Sequence, residues 1–437
     1  MKKSSFPGPK TRLFYERMRR VMLSTSVVED LSPVFERGDL CWLTDIDGNS
    51  FLDFTSQIGL VNTGHRPSEI VSAIREELNY FTGMLGNDFQ FSTMHKNGPL
   101  FGEEISQVRL CEVLAEISPV PNPKVLLEVS GAAATNGSGK VCQYINSKKL
   151  CFAAFVKAFH GRHGFSLDLS SSKPIHKLLH RMGYCVARLP FPTKGVSLKS
   201  YFDHFISSLS GHEHTDSINA IYAEVVQGEG GINISDLEAF NMVRNIAHAK
   251  GILFVVDDIQ TGFGRTGKMF ASEYLERPPD LMVLSKSLGG GLPLGAVIVN
   301  NDLIPGGDLP MGAHSGTMPG TPLAIAAALA NIKILRDKNL CVRSQSLGEY
   351  MVDGLKRLEK QHKYILDVDS LGGLMCRVQF GSKDLRNQVI RKCLETDPGL
   401  LLVGAGTAVI RFMPPLIVTQ EEIDLALQIF EYALHTL

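Results

Sequence analysis

The sequence has neither a long apolar run nor an excess of charge of one sign. No stretch of the 437 residues approaches the roughly 20 apolar residues that a membrane-spanning helix needs. The formal net charge is -1, so no whole-chain electrostatic field favours nucleic acid or an anionic membrane. We therefore expect a protein that binds neither nucleic acid nor membranes.

Closely spaced cysteines are also missing. The eight cysteines are scattered, and none forms a C-x-x-C pair. This spacing predicts no zinc site, no other metal site and no disulfide framework, and it favours a reducing compartment. Residues 1–8 carry charge but lack the apolar core of a secretory signal. We therefore predict a cytoplasmic location.

What is present is an alternation of short apolar runs with helical patterns through the middle of the chain. Such runs, separated by helices, indicate an α/β fold with a parallel sheet covered on both faces. Residues from about 344 onward predict a separate α+β unit, and Asp47-Gly48 predicts a β-hairpin near the start. The predicted strands of the middle part are 124–129, 150–155, 218–225, 252–257, 281–284 and 295–299.

Two charged residues stand directly after such strands. Lys286 lies between the apolar run 281–284 and a glycine-rich loop, and Asp257 ends the apolar run 252–257. A desolvated amine that forms a Schiff base and a carboxylate that holds a pyridinium nitrogen are what pyridoxal phosphate chemistry requires. Each residue alone has an ordinary alternative, a surface lysine and a helix-capping aspartate. Together they favour a pyridoxal phosphate site.

A glycine motif offers a competing interpretation. Residues 262–267 read G-x-G-x-x-G after a strand, the form of a dinucleotide-binding loop. A pyrophosphate there would meet the carboxylates of Asp257 and Asp258, and no helical pattern opens on the third glycine. The sequence therefore disfavours a dinucleotide.

Other polar groups follow neighbouring strands. The turn 130–137 combines small residues with hydroxyls at the start of a helix, which predicts either an anion site or a simple capped turn. Further groups are Phe159 to Arg162, Glu224 to Gly231, and Arg411. Because strand ends meet at one edge of a doubly wound sheet, we expect these groups to converge on one site.

The segment 255–267, together with 286–293, resembles the class III pyridoxal-phosphate aminotransferases of fold type I. The family includes the acetylornithine, ornithine, 4-aminobutyrate and diaminobutyrate enzymes. The resemblance implies a large domain over 67–321 with a mostly parallel seven-stranded sheet. It implies a smaller α+β domain from both chain ends, 1–66 and 322–437. It also implies a homodimer with shared active sites.

The resemblance assigns cofactor roles residue by residue. Lys286 resembles the Schiff-base lysine that also shuttles protons, and Asp257 the acid at the pyridine nitrogen. Gln260 resembles the residue beside the phenolic oxygen, while Ile259 and Phe159 resemble the residues on the two ring faces. The remaining implied cofactor residues are His160, then Ala134 and Thr135 at the phosphate, and Thr317, which reaches the phosphate of the neighbouring subunit.

Three further residues resemble the substrate-binding groups of the family. Arg162 matches an arginine for a distal carboxylate, and Arg411 matches the arginine that holds an α-carboxylate. Glu229 matches the acid that pairs with that arginine when the substrate presents an ω-amine. Arginine suits both positions because its planar fork binds a carboxylate through two hydrogen bonds.

Three functions follow as hypotheses. The first is an aminotransferase that moves the ω-amine of a diamino or ω-amino acid to 2-oxoglutarate. The second is a racemase, epimerase or aminomutase that keeps Lys286 and Asp257. The third is a non-catalytic cofactor-binding protein, because Ala134-Thr135 stands where the family has glycine-threonine.

Overall fold

The computed structural model describes residues 6–26, 32–81, 94–100, 102–180, 183–211 and 217–437. Residues 1–5 of the segment considered for a secretory signal, and residues 27–31 of the predicted N-terminal domain segment, lie outside this part. Among the described residues, no helix combines the length and apolarity needed to cross a membrane.

The helices vary in length from 4 to 22 residues. Several begin at a residue whose side-chain oxygen accepts a hydrogen bond from a free backbone N–H group. Such caps are formed by Ser106, Ser130, Ser197, Asp236, Ser382 and Thr419. The helices are α1 Pro9–Val21, α2 Ser56–Gly59, α3 Ser68–Glu77, α4 Gln107–Ile117, α5 Gly131–Ile145, α6 Gly164–Leu169, α7 Leu198–Ser210, α8 Leu237–Ala249, α9 Pro322–Asp337, α10 Leu340–Gln361, α11 Lys383–Leu394 and α12 Gln420–His435.

The strands are short, as is usual for sheets that helices cover. They are β1 Phe35–Asp39, β2 Trp42–Asp45, β3 Ser50–Asp53, β4 His95–Asn97, β5 Glu103–Ile105, β6 Pro123–Glu128, β7 Cys151–Phe155, β8 Val186–Leu189, β9 Ile218–Ala223, β10 Val226–Gln227, β11 Asn233–Ile234, β12 Leu253–Asp257, β13 Leu281–Leu284, β14 Gly295–Asn300, β15 Ile365–Ser370, β16 Cys376–Phe380, β17 Gly399–Leu401, β18 Val403–Ala405 and β19 Val409–Phe412.

The central sheet has seven strands in the order β6-β14-β13-β12-β9-β7-β8. Strand β14 runs antiparallel to both neighbours, and the other six point the same way. Alternate residues of β12 enter different cores: Phe254 and Val256 pack on one face, and Leu253 and Val255 on the other. Because both faces are covered, the strand reads as a continuous apolar run.

The α/β fold class with a mostly parallel seven-stranded sheet is confirmed. All six predicted strands of the middle part exist, with ends that differ by at most two residues. The seventh strand, β8, was missed because its sequence, VARL, carries an arginine within a short run.

Residues from both chain ends form a smaller sheet outside the central one. The hairpin predicted at Asp47-Gly48 is the β2–β3 turn, and β3 pairs in parallel with β17 from the C-terminal part. A second sheet has the order β15-β16-β19-β18, and α10, α11 and α12 pack near it. The domain boundaries at 66 and 321 stay predictions. Helix α9, which follows the second boundary, packs on α3 and α4.

The prediction that the cysteines form no disulfide is wrong for one pair. Cys151 begins β7 and Cys185 directly precedes β8, so the parallel pairing of Phe152 with Val186 brings the two Cα atoms to 4.8 Å, and the sulfurs are bonded. The spacing of the two cysteines in the sequence did not indicate a disulfide, because β8 itself was not predicted.

The glycine-rich motif 262–267 contains a buried arginine. The Arg265 guanidinium donates to the Leu374 carbonyl at 2.9 Å, the Pro414 carbonyl at 2.6 Å and Asn62 Oδ1 at 2.5 Å. It also donates to Ser56 Oγ. The loop therefore joins the central sheet to both chain ends, which explains its glycines without a bound dinucleotide.

Replacing Arg265 by methionine is expected to destabilise the protein. The change leaves buried carbonyls without a donor, and each hydrogen bond to a charged group contributes about 1.5–3 kcal/mol. We expect a melting temperature at least about 3 °C lower for a chain of this size, measured by calorimetry. Arg75→Met, at an exposed position on α3, is the matched control. An equal effect of the two changes would contradict this role of Arg265.

Candidate active site

A cavity of about 350 Å³ lies at the carboxyl edge of the central sheet. Its walls come from the segments that follow β6, β7, β9, β12 and β13, as expected for an open α/β sheet. Of the residues predicted for the site, eight line this cavity: Phe159, His160, Arg162, Glu229, Asp257, Ile259, Gln260 and Lys286.

Lys286 follows β13 in a left-handed backbone conformation, with φ of +46°. A non-glycine residue held there stores strain, which is common at functional sites. The neighbouring Ser285 hydroxyl donates to the Leu294 carbonyl at 2.7 Å and fixes the turn. Desolvation lowers the pKa of Lys286 to about 8, with Glu229 opposing this shift and Arg411 adding to it. The amine is therefore closer to its neutral, nucleophilic form than an exposed lysine.

Asp257 is the last residue of β12, and its carboxylate is fixed on two sides. Oδ2 lies 2.8 Å from His160 Nδ1, and Oδ1 accepts the Ile259 N–H at 3.1 Å. Asp258 lies outside the cavity lining, where Thr261 Oγ1 and the Ser272 N–H donate to it. Only the first of the two adjacent acids serves the cavity, as strand alternation requires.

Glu224 is a cavity acid that the sequence interpretation placed among the converging groups but to which it gave no specific role. It follows β9, is buried, and accepts the N–H groups of Phe159 at 2.9 Å and Gly228 at 3.1 Å. Burial raises the pKa of Glu224 to about 7. His160 lowers this pKa, whereas Asp257 raises it further. Its position directly after an apolar strand, like that of Asp257, was the available signal.

Glu229 and Arg411 form a buried ion pair beside Lys286. Arg411 Nη1 lies 2.8 Å from Glu229 Oε1, and Lys173 Nζ lies 3.3 Å from Glu229 Oε2. Burial opposes ionisation of Glu229, but Arg411 and Lys173 outweigh it and lower the pKa of Glu229 to about 2. Arg411 lies on β19, so the C-terminal part of the chain reaches the cavity through this pair. Lys173 was missed, and no sequence pattern marked it.

The two residues predicted for the cofactor phosphate, Ala134 and Thr135, do not line the cavity. Ala134 and Thr135 are fully buried inside α5, and the Thr135 hydroxyl donates to the His160 carbonyl at 3.1 Å. The cavity is instead lined by Ser130, Gly131 and Ala132 at the N-terminus of α5. These three residues lie one helical turn before the predicted pair, and only the first residues of a helix present free N–H groups.

Gly131 lies close to a side chain on the opposite wall of the cavity. A Cβ atom on this residue would lie 2.7 Å from Ile259 Cδ1. The start of α5 and Ile259, the second residue after Asp257, are therefore in direct contact.

Two predicted residues lie at or beyond the rim. The Arg162 guanidinium carbon lies 5.7 Å from the centroid of the Phe159 ring, and its side chain is exposed. Thr317 is exposed and is not part of the cavity lining of this single chain. Arg162 thus marks the cavity entrance, whereas a role for Thr317 requires a second subunit.

The family model for class III aminotransferases matches residues 25–434. The chain belongs to the class III aminotransferase family. A leucine/methionine racemase of Thermococcus litoralis is 30% identical over 96% of this chain and 94% of its own length. An acetylornithine aminotransferase of Archaeoglobus fulgidus is 30% identical over 95% of this chain and 98% of its own length. A transaminase structure from the marine bacterium Virgibacillus matches with a TM-score of 0.86 and 25% identity, over 97% of this chain and 99% of that one.

This family is pyridoxal-phosphate dependent, and the cavity fits that cofactor. Within the described residues, Gln260 Oε1 and His160 Nε2 are buried without a hydrogen-bond partner, and Gln260 lines the cavity. Lys286 would supply the amine, Asp257 the carboxylate for the pyridine nitrogen, and the start of α5 the N–H groups for the phosphate. When bound, the cofactor would supply an electron sink for the substrate carbon that carries the amine.

The lowered pKa of Lys286 predicts its reactivity in the cofactor-free protein. Acetylation requires the neutral amine, so its rate should rise through a midpoint near pH 8, given the lowered pKa. Glu229→Gln should move the midpoint lower, because it removes a carboxylate that stabilises the ammonium. Peptide mass spectrometry measures the rate, with the exposed Lys250 as reference for the reagent. An unchanged midpoint in the variant would refute this coupling.

Proposed function

We propose that this enzyme transfers the ω-amine of a diamino or ω-amino acid to 2-oxoglutarate. 2,4-Diaminobutyrate, ornithine and 4-aminobutyrate are donors of this kind. The observation that carries the proposal is the Glu229–Arg411 pair, 2.8 Å apart and next to Lys286. A neutralised arginine tolerates an amine-bearing chain, whereas a free arginine selects a carboxylate.

Glu229 has the partners that a switch requires. During the ω-amine half-reaction it would neutralise Arg411. In the dicarboxylate half-reaction it would release Arg411 to the 2-oxoglutarate carboxylate while keeping its contact with Lys173, which is 3.3 Å away. A buried carboxylate that lost its only cation would be strongly destabilising. Lys173 therefore lowers the cost of opening the pair.

Arg162 supports the same substrate class. It lies exposed over the Phe159 ring at the cavity entrance. A donor with its amine at Lys286 and its carboxylate at the rim would meet this guanidinium, which binds carboxylates through two parallel hydrogen bonds.

Lys286 would act as the base in this reaction. Its amine, with a pKa lowered to about 8, would accept the proton from the substrate carbon that bears nitrogen. Asp257, held in place by His160, would be the carboxylate at the pyridine nitrogen of the bound cofactor, which would supply the electron sink.

A racemase is the second candidate, and one observation favours it. The Thermococcus litoralis relative is named a leucine/methionine racemase, and it matches nearly the whole chain. Racemisation needs the same Lys286 and Asp257 but returns the proton to the same substrate carbon on either face. It requires no oxo acid, and this difference separates the two reactions.

We further propose a homodimer with shared active sites. The exposed position of Thr317 supports this, since a residue that reaches a neighbouring subunit's phosphate cannot lie in its own cavity. The cytoplasmic location stays a prediction.

Replacing Glu229 by alanine should shift donor preference toward α-amines. Arg411 would then be permanently available to an α-carboxylate. We expect the ratio of kcat/KM for an α-amine donor to that for an ω-amine donor to rise about tenfold, the value of one charge-assisted hydrogen bond. Glu238→Ala, at an exposed position on α8, is the control. Unchanged regioselectivity would exclude the switch.

A donor panel distinguishes the three hypotheses. Diaminobutyrate, ornithine, 4-aminobutyrate, lysine and β-alanine are each incubated with 2-oxoglutarate, and glutamate formation is followed. We expect turnover only with the oxo acid, and its loss in Lys286→Ala together with the absorbance band of the bound cofactor. Enantiomer formation without the oxo acid would instead indicate the racemase. Absence of any cofactor band in the unsubstituted protein would indicate the non-catalytic alternative.

A further inference from the structure

We propose that His362, Glu431 and His435 form a site for a divalent transition-metal ion such as zinc. His362 ends α10 as its C-cap residue, and the other two lie four residues apart on α12. One ligand atom from each side chain lies within 4.8 Å of the other two. None of the cavity residues comes from α10 or α12, so this site is separate from the active site.

The buried member of the group has an unmet polar atom. His362 is only 8% exposed, and its Nε2 has no hydrogen-bond partner among the described residues. A buried polar atom without a partner is costly unless a ligand or ion satisfies it. The His362 and His435 rings stand with centroids 4.6 Å apart, so the buried imidazole lies against the exposed one.

The two residues on α12 share one face of the helix because their spacing is close to one turn. Glu431 Oε1 lies 4.0 Å from His435 Nε2, and both side chains are partly solvent-exposed. They can therefore change rotamer without disturbing the core, and they leave a path for an ion to enter. Glu431 carries the negative charge that would offset part of the charge of the ion.

The ligand chemistry identifies the class of ion. Two imidazoles and one carboxylate are typical zinc ligands, and three protein ligands leave the fourth tetrahedral position to water. Ligand atoms at about 2.1 Å from the ion lie roughly 3.4 Å apart, so the present group must close by rotation of Glu431 and His435. Magnesium and calcium prefer all-oxygen sites and are disfavoured here.

An ion at this position would join two segments that are distant in the sequence. It would link the end of α10 to the last turn of α12, where the groove between the helices is lined by Arg357, Leu427 and Glu431. Binding to the folded state only would stabilise it by mass action. The ion would act on stability and not on the reaction.

Calorimetric titration of the tag-free holoenzyme with zinc chloride tests the proposal. We expect one site that is lost or weakened by at least about tenfold in His435→Ala, and a zinc-dependent rise in melting temperature that this variant lacks. Because His435 is exposed, the variant should fold normally. Cobalt titration should give the visible absorption of a tetrahedral site. Transaminase activity should stay the same with and without zinc.

The matched control is His248→Ala, which removes an exposed histidine from the last turn of α8 and should bind zinc like the unsubstituted protein. His362→Gln tests the buried ligand. The proposal would be overturned if His435→Ala kept the zinc affinity and the zinc-dependent rise in melting temperature. It would also be overturned if the unsubstituted protein showed no saturable zinc binding.

Discussion

The buried Arg265 guanidinium is the interaction on which the geometry of this enzyme depends most. It is fully buried. It donates hydrogen bonds to carbonyl and side-chain oxygens from three separate segments. Burial lowers the pKa of Arg265 to about 9, with Asp53 opposing this shift. The loop that carries Arg265 follows Asp257, and one of its acceptors, Pro414, stands three residues after Arg411. One side chain thus fixes the distance between the central sheet and the strand that brings Arg411 to the cavity.

Charge pairing in a desolvated space organises the cavity itself. A buried ion is costly unless a partner of opposite charge or several hydrogen bonds compensate it. Glu229 meets this requirement with two cations, and Asp257 with His160 and a backbone N–H. Lys286 has weaker compensation, so its pKa falls toward the range where a free amine acts as nucleophile and base. The structure thereby keeps Glu229 charged and the lysine reactive.

Local patterns predicted the features that depend on neighbouring residues in the chain. The apolar run ending in Asp257 and the run preceding Lys286 placed both residues correctly at strand ends, because a strand covered on both faces must be apolar throughout. Ala134 and Thr135 lie one helical turn beyond the residues of α5 that line the cavity, because small residues continue past Ser130 and do not mark where α5 begins. Glu224 received no specific role because the path of the backbone after β9 decides whether an acid there enters the cavity. The bonded Cys151 and Cys185 depended on β8, whose short and partly polar sequence gave no strand signal.

The sequence by itself determined the fold class and the cofactor, and it placed Lys286 and Asp257 at strand ends, since periodicity and strand-end residues are local properties. The tertiary structure alone decided which distant groups meet. The pairing of Glu229 with Arg411, the contacts of Arg265 and the approach of His362 to His435 each join segments far apart in the chain. Their distances depend on how the sheets and helices pack, and packing is a property of the whole folded chain rather than of any one segment.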